Sequence, residues 1–170
     1  MAHIRFHDND ERIEDQKEVS AFLGSHEVIY EHWDMTKLPE RLQENFKLNE
    51  EDKAEIIATF RTEIDDISAR RGYLTEDVIV LSQHTPNLED LLVKFQQEHH
   101  HSDDEVRFIA GGHGIFAIQG TDGRFFDVEL NPGDLISVPE NYRHYFTLQA
   151  DRQVIAIRIF KTTEGWAPIY

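Results

Sequence analysis

The sequence predicts a mainly β fold, a small antiparallel sandwich or barrel, with several helices, mostly from the first half of the chain, packed outside it. Three observations predict this. Beyond residue 105, short apolar runs alternate with Gly, Pro and Asn turn signals, which suits antiparallel strands rather than βαβ units. Before that point, apolar residues recur at helical spacing between recognisable caps. No linker and no internal repeat divides the 170 residues, so one domain over 1–170 is expected.

Asp15 to Leu23 reads as a short helix stopped by Gly24, and Glu27 to Trp33 as a strand carrying Val28, Ile29 and Tyr30. Leu38 to Phe46 reads as a second short helix with Pro39 near its first turn. Asn49 is a good N-cap, and Asp52 three residues on plays the capping-box part imperfectly. Ile57, Phe60, Ile64 and Ile67 then share one face of a helix that ends at Gly72, after Arg70 and Arg71. Asp77 to Leu81 is a strand of Val and Ile. Thr85-Pro86-Asn87 opens a helix through Leu88, Leu91, Leu92 and Phe95 that delivers the chain to Glu98-His-His-His101.

Six strand-like runs follow: Val106 to Ile109, His113 to Ile118, Arg124 to Leu130, Asp134 to Val138, Tyr145 to Leu148 and Val154 to Phe160. Gly111-Gly112, Gly120-Thr-Asp-Gly123, Asn131-Pro-Gly133, Pro139-Glu-Asn141 and Ala150-Asp-Arg152 separate them.

The formal charge is −16, from 33 acidic and 17 basic residues, a field that repels nucleic acid and anionic membrane. No basic patch with interleaved aromatics and no Gly-rich phosphate loop is present. No run of apolar residues is long enough for a membrane helix, and Met-Ala-His-Ile-Arg-Phe-His-Asp lacks the core of a signal peptide. Cysteine is absent, which removes disulfides, zinc-thiolate sites and thiol catalysis, and leans towards the cytoplasm.

The chemistry concentrates in Glu98-His-His-His-Ser-Asp-Asp-Glu-Val-Arg107. Side chains alternate along extended chain, so His99, His101, Glu105 and Arg107 share parity, with Ser-Asp-Asp bending the chain between them. His100 points away. An inward face of His, His, Glu and Arg makes a poor core and a plausible site. His144 lies beyond the turn at Gly133 and Pro139 and opens a strand that an antiparallel return could bring opposite the cluster. Three imidazoles and a carboxylate suit octahedral iron(II), nickel(II), cobalt(II) or manganese(II), with two positions left for a bidentate oxygen ligand. A structural zinc site would instead close at four ligands. His113 heads a strand near the cluster and is a candidate neighbour of it. His3, His7, His26, His32 and His84 read as surface or core groups.

These residues carry a resemblance. His99-x-His101-x3-Glu105-x6-Gly112 and Gly133-x5-Pro139-x4-His144 resemble the two motifs of the cupins, small antiparallel (jelly-roll) barrels with a metal in the mouth. With Asp104-Glu-Val-Arg-Phe108, Asp134-Leu-Ile-Ser-Val-Pro139, His144-x-Phe146, Ala156-Ile-Arg-Ile-Phe160 and Glu164-Gly-Trp166, the likeness narrows to the acireductone dioxygenases of methionine salvage. It runs across nearly the whole chain, although the first half adds little.

The resemblance implies one Fe2+ or Ni2+ per chain on His99, His101, Glu105 and His144, with the enediolate of 1,2-dihydroxy-3-keto-5-methylthiopentene chelating the two open positions. Iron implies formate and 4-methylthio-2-oxobutanoate from O2 cleavage. Nickel implies formate, carbon monoxide and 3-(methylthio)propionate. A monomer is expected. Arg107 and Arg158, both inside apolar strand patterns, are candidates for stabilising the dianion. Asp104 is a candidate for orienting a ligand histidine or acting as a local base, and Phe146 and Trp166 for walling the methylthio tail. Three other readings remain open on residues alone: another metal-dependent cupin enzyme such as a different dioxygenase or an isomerase, a non-enzymatic binding module, and a structural metal site.

Overall fold

The computed structural model describes residues 1–162 and 167–170. Ten strands and five α-helices follow in chain order: β1 (His3–Phe6), β2 (Arg12–Ile13), α1 (Gln16–Ser25), β3 (Ile29–His32), α2 (Glu40–Gln43), α3 (Glu50–Thr59), α4 (Arg61–Arg71), β4 (Thr75–Leu81), α5 (Leu88–Gln96), β5 (Glu105–Gly112), β6 (Gly114–Gln119), β7 (Phe125–Leu130), β8 (Asp134–Val138), β9 (His144–Leu148) and β10 (Val154–Phe160). A 3-10 turn, Met35–Lys37, precedes α2. The strands form two five-stranded antiparallel sheets, ordered β2-β1-β7-β6-β9 and β3-β8-β5-β10-β4. This is the expected jelly-roll barrel with helices outside.

Two hydrophobic cores explain the layering. The first lies between the sheets, where Ile4, Phe116, Phe126 and Val128 of one meet Ile109, Ile136, Val138 and Ala156 of the other. Leu23 of α1 and Leu92 of α5 also pack into it. The second lies behind the second sheet, where Val106, Phe108, Leu135, Ile155 and Ile157 meet Leu42 of α2, Ile56 of α3, Ile64 and Ile67 of α4, and Phe60 between those two helices. With both faces covered, β5, β8 and β10 read as almost continuous buried runs. β9 keeps strict alternation, buried and half-buried in turn, because among the described residues no helix covers the outer face of its sheet.

Several expectations are corrected. The helix expected to reach Gly72 in one piece is two, α3 and α4, broken at Phe60 (φ −106°, ψ 19°), whose fully buried ring is drawn into the core. The capping box at Asn49 and Asp52 is complete, and Gly72 caps α4 in the left-handed region. α1 runs through Gly24 to Ser25, and Glu27 (φ 64°) takes the left-handed position instead. The helix expected from Leu38 to Phe46 keeps one turn, with Pro39 as its N-cap. β1 and β2 are additional strands, and β1 pairs along its whole length with β7.

Candidate metal centre

The two halves of the site come from different sheets. Leaving α5, the chain passes through His99, which exchanges both backbone hydrogen bonds with His144 at 2.9 and 2.8 Å. That bridge is the antiparallel return anticipated for His144. The bend at Ser102 and Asp103 then carries the chain into β5, where Glu105 pairs with Val138 and Arg107 with Ile136 of β8. The backbone of Asn141 donates to the carbonyl of His101 at 2.8 Å, which ties the bend to the loop before β9.

His99, His101, Glu105 and His144 are 7%, 5%, 4% and 1% exposed, and each offers a donor atom within 4.8 Å of the others. The Nδ1 of His99 lies 2.6 Å from the carbonyl of Gln97, and that of His144 lies 2.9 Å from the carbonyl of Tyr142. A carbonyl only accepts, so both Nδ1 atoms carry the proton and both Nε2 lone pairs are left to coordinate. Burial, with the nearby imidazoles, lowers the pKa of His99 and favours the neutral form a metal requires. Glu105 contacts His144 Nε2 closely and lies 3.4 Å from His101 Nε2. Burial opposes its ionisation, but its contacts with His144, Arg107 and His101 outweigh that, holding the carboxyl well below the usual range. Three imidazoles and one carboxylate, buried together, fit a divalent first-row ion that accepts nitrogen and oxygen donors.

A cavity of about 200 Å³ opens onto this cluster. Arg107 is buried in its wall: its Nη2 donates to Glu105 Oε1 at 3.1 Å, and its guanidinium lies 5.0 Å from the Phe146 ring and 5.7 Å from that of Phe116. Burial lowers its pKa and Glu105 opposes the fall, so it stays cationic. Arg158 stands opposite Arg107 in the β10–β5 register and lines the same cavity, with Asp77 held in a two-point pair. Phe146 lines the cavity too, while Trp166 lies outside the described residues.

Asp104 departs from expectation. It does not line the cavity; its carboxylate accepts from Tyr73 at 2.7 Å, Arg71 at 2.9 Å and the Glu140 backbone at 3.1 Å. Burial would raise its pKa, but these bonds lower it, so it is a clamp between the bend and the helical layer rather than a base. His113 pairs with Asp151 at 2.7 Å and lines a different cleft. His100 is half-buried outside the cluster and accepts from Arg143 at 3.2 Å. Lys94, Phe95, Pro168 and Tyr170 complete the cavity and were not anticipated as site residues. Lys94 and Phe95 sit in the last turn of α5, shortly before the histidines in the chain, a signal that was available; Pro168 and Tyr170 arrive from a distant part of the chain.

The profile of the ARD/ARD' family matches residues 3–168. Acireductone dioxygenases of Bacillus thuringiensis subsp. konkukian and Bacillus mycoides are 67% and 66% identical to this chain over 170 residues, the full length of both partners. A solved acireductone dioxygenase from Bacillus anthracis, with a cadmium ion in its active centre, superposes with a TM-score of 0.98 at 66% identity, covering 100% of this chain and 98% of that one. The family match spans all four cluster residues and the barrel that carries them, and the chain belongs to the ARD/ARD' family.

Proposed function

We propose that this protein is a metal-dependent dioxygenase that cleaves 1,2-dihydroxy-3-keto-5-methylthiopentene with O2. The observation that carries this reading is the buried His99, His101, Glu105 and His144 cluster, opening onto a small cavity that also holds two arginines. Fe2+ or Ni2+ would be held by those four side chains, and when bound supplies Lewis acidity and a template for the two enediolate oxygens.

The chain's own residues do the rest. Arg107, fixed by Glu105 and by the faces of Phe116 and Phe146, sets a preorganised cation beside the dianionic head of the substrate. Arg158 adds a second guanidinium, part of whose charge is spent on Asp77. Phe95 and Phe146 give the methylthio tail an apolar wall and keep water from the reacting carbons. The carbonyls of Gln97 and Tyr142 hold two ligand imidazoles in one tautomer. No helix among the described residues is long and apolar enough to cross a membrane. A single domain, acting as a cytoplasmic monomer, completes the proposal; continuous packing between the helical layer and β5 supports the single domain.

The test is to strip the metal, reload separate samples with Fe2+ and Ni2+, and supply synthetic acireductone and oxygen. The iron form should yield formate and the 2-keto acid, and the nickel form formate, carbon monoxide and 3-(methylthio)propionate. Failure of both forms to consume oxygen would overturn the reading. Identical products from the two would refute the dependence on metal.

A further inference from the structure

Residues 167–170 are registered directly on the metal site. His100 and Ile169 exchange both backbone hydrogen bonds, each 2.9 Å, and His100 stands between two of the metal-cluster histidines. The attachment is main chain to main chain. In a paired extended segment alternate side chains share a face. Pro168 and Tyr170 accordingly line the cavity, while Ile169 turns outward and is 46% exposed. The Tyr170 ring centroid lies 6.1 Å from that of His99.

We propose that Pro168 and Tyr170 are specificity-determining residues that set the length of apolar tail the cavity accepts; this rests on the acireductone reading above. The cavity has one polar end, built from the metal cluster and Arg107, which grips the substrate head and does not sense its tail. Its apolar wall has two parts of different rigidity. Phe146 is 2% exposed and packed on Phe116 and Phe95, so it cannot yield without disturbing the core. Tyr170 is 56% exposed and fastened through the backbone at a neighbouring residue, so its side chain can change size at little cost to the fold. His100 then has a positioning task although its imidazole is outside the cluster: its peptide groups place the wall.

The experiment compares Tyr170→Ala, Tyr170→Phe and the double variant Pro168→Ala/Tyr170→Ala in the full-length, metal-loaded protein. KM and kcat are measured for acireductones with short, native-length and long alkyl tails. The binding of unreactive α-hydroxyketones with the same tails is followed by calorimetry, and metal content by elemental analysis. In Tyr170→Ala, KM for the native-length tail should rise about threefold to tenfold, less than a fully enclosed contact would give because the ring is half exposed. That rise should exceed any fall in kcat. The handicap of the long tail should shrink, further so in the double variant, and Tyr170→Phe should restore it. Metal content should hold. Tail preference identical in Tyr170→Ala and the unchanged protein would overturn the proposal, as would loss of metal in step with binding. If no acireductone is turned over, the functional reading fails, while tail-dependent calorimetry still decides the role of the wall.

Discussion

Replacing Arg107 by Met separates two jobs that one guanidinium performs. Its Nη2 lies 3.1 Å from Glu105, and both residues are about 4% exposed. Unit charges at that distance attract by about 5 kcal/mol at an effective dielectric of about 20. Removing one member of a buried pair costs about 3–5 kcal/mol, because the other charge is left without compensation. Each kcal/mol moves the melting temperature of a chain this size by about 2–4 °C, so metal-free Arg107→Met should melt about 6–20 °C below the metal-free parent. A divalent ion held by the cluster would compensate the charge of Glu105. The metal-loaded variant should therefore lose less than the metal-free one.

The catalytic arm is independent of that one. Methionine keeps an apolar stem over Phe146 but offers no donor to the substrate dianion. Loss of one preorganised donor costs about 100- to 1,000-fold in rate, so kcat/KM should fall by that factor while bound metal stays near one per chain. Calorimetry on the stripped and loaded proteins, with rates and elemental analysis on the same samples, gives all three numbers. Equal melting losses with and without metal would refute the charge-compensation argument. An unchanged rate would remove Arg107 from the electrostatic role.

Two further outcomes are expected. Lys94 lines the cavity and has no carboxylate at ion-pair distance among the described residues, so Lys94→Gln should lower kcat/KM about twofold to tenfold at low salt and flatten its salt dependence; an unaltered salt slope would exclude steering by Lys94. One glycine substitution should change sign between two places. A Cβ at Gly111 would sit 2.3 Å from the carbonyl oxygen of Gln43, whereas nothing lies within 4 Å of one at Gly24 in α1. Gly111→Ala should thus destabilise by about 2 kcal/mol or more, and Gly24→Ala should stabilise by about 0.5–1 kcal/mol, in urea unfolding.

Local signals and long-range ones fared differently. β6 to β10 were legible because each apolar run ends at a turn whose residues have a backbone reason to be there: Gly123 and Gly133 both take positive φ. β1 alternates polar and apolar over His3–Phe6, but four residues with no preceding turn do not announce a strand, and only pairing with β7 makes one. The break at Phe60 was invisible because α3 and α4 each keep helical spacing and only tertiary burial bends the chain between them. At the site, the parity of Glu105 and Arg107 is a local property and led to their shared face. Asp104 has the opposite parity, and its partners Arg71 and Tyr73 lie on the helical layer, more than thirty residues away. The Pro168 and Tyr170 wall depends on a bridge to His100 that no local pattern encodes.

The distribution of the helices follows from what β5 must do. Its inner face gives up apolar packing to hold Glu105 and Arg107, so that face contributes little to fixing the strand. Its outer face does the fixing. Phe108 stacks on Trp33 with centroids 4.5 Å apart and meets Phe60 at 4.7 Å, and Val106 packs in the same cluster under α3 and α4. A charged pair held on a rigid strand is preorganised, whereas the same pair on a strand free to shift would be a loose one. The sheet that carries β5 is the one backed by α2 to α4, and the other sheet, whose outer face is solvated, supplies only His144. The N-terminal half therefore contributes none of the four cluster residues, yet it determines how well β5 holds its two. Substitutions at Trp33 or Phe60 should loosen metal binding without touching the cluster.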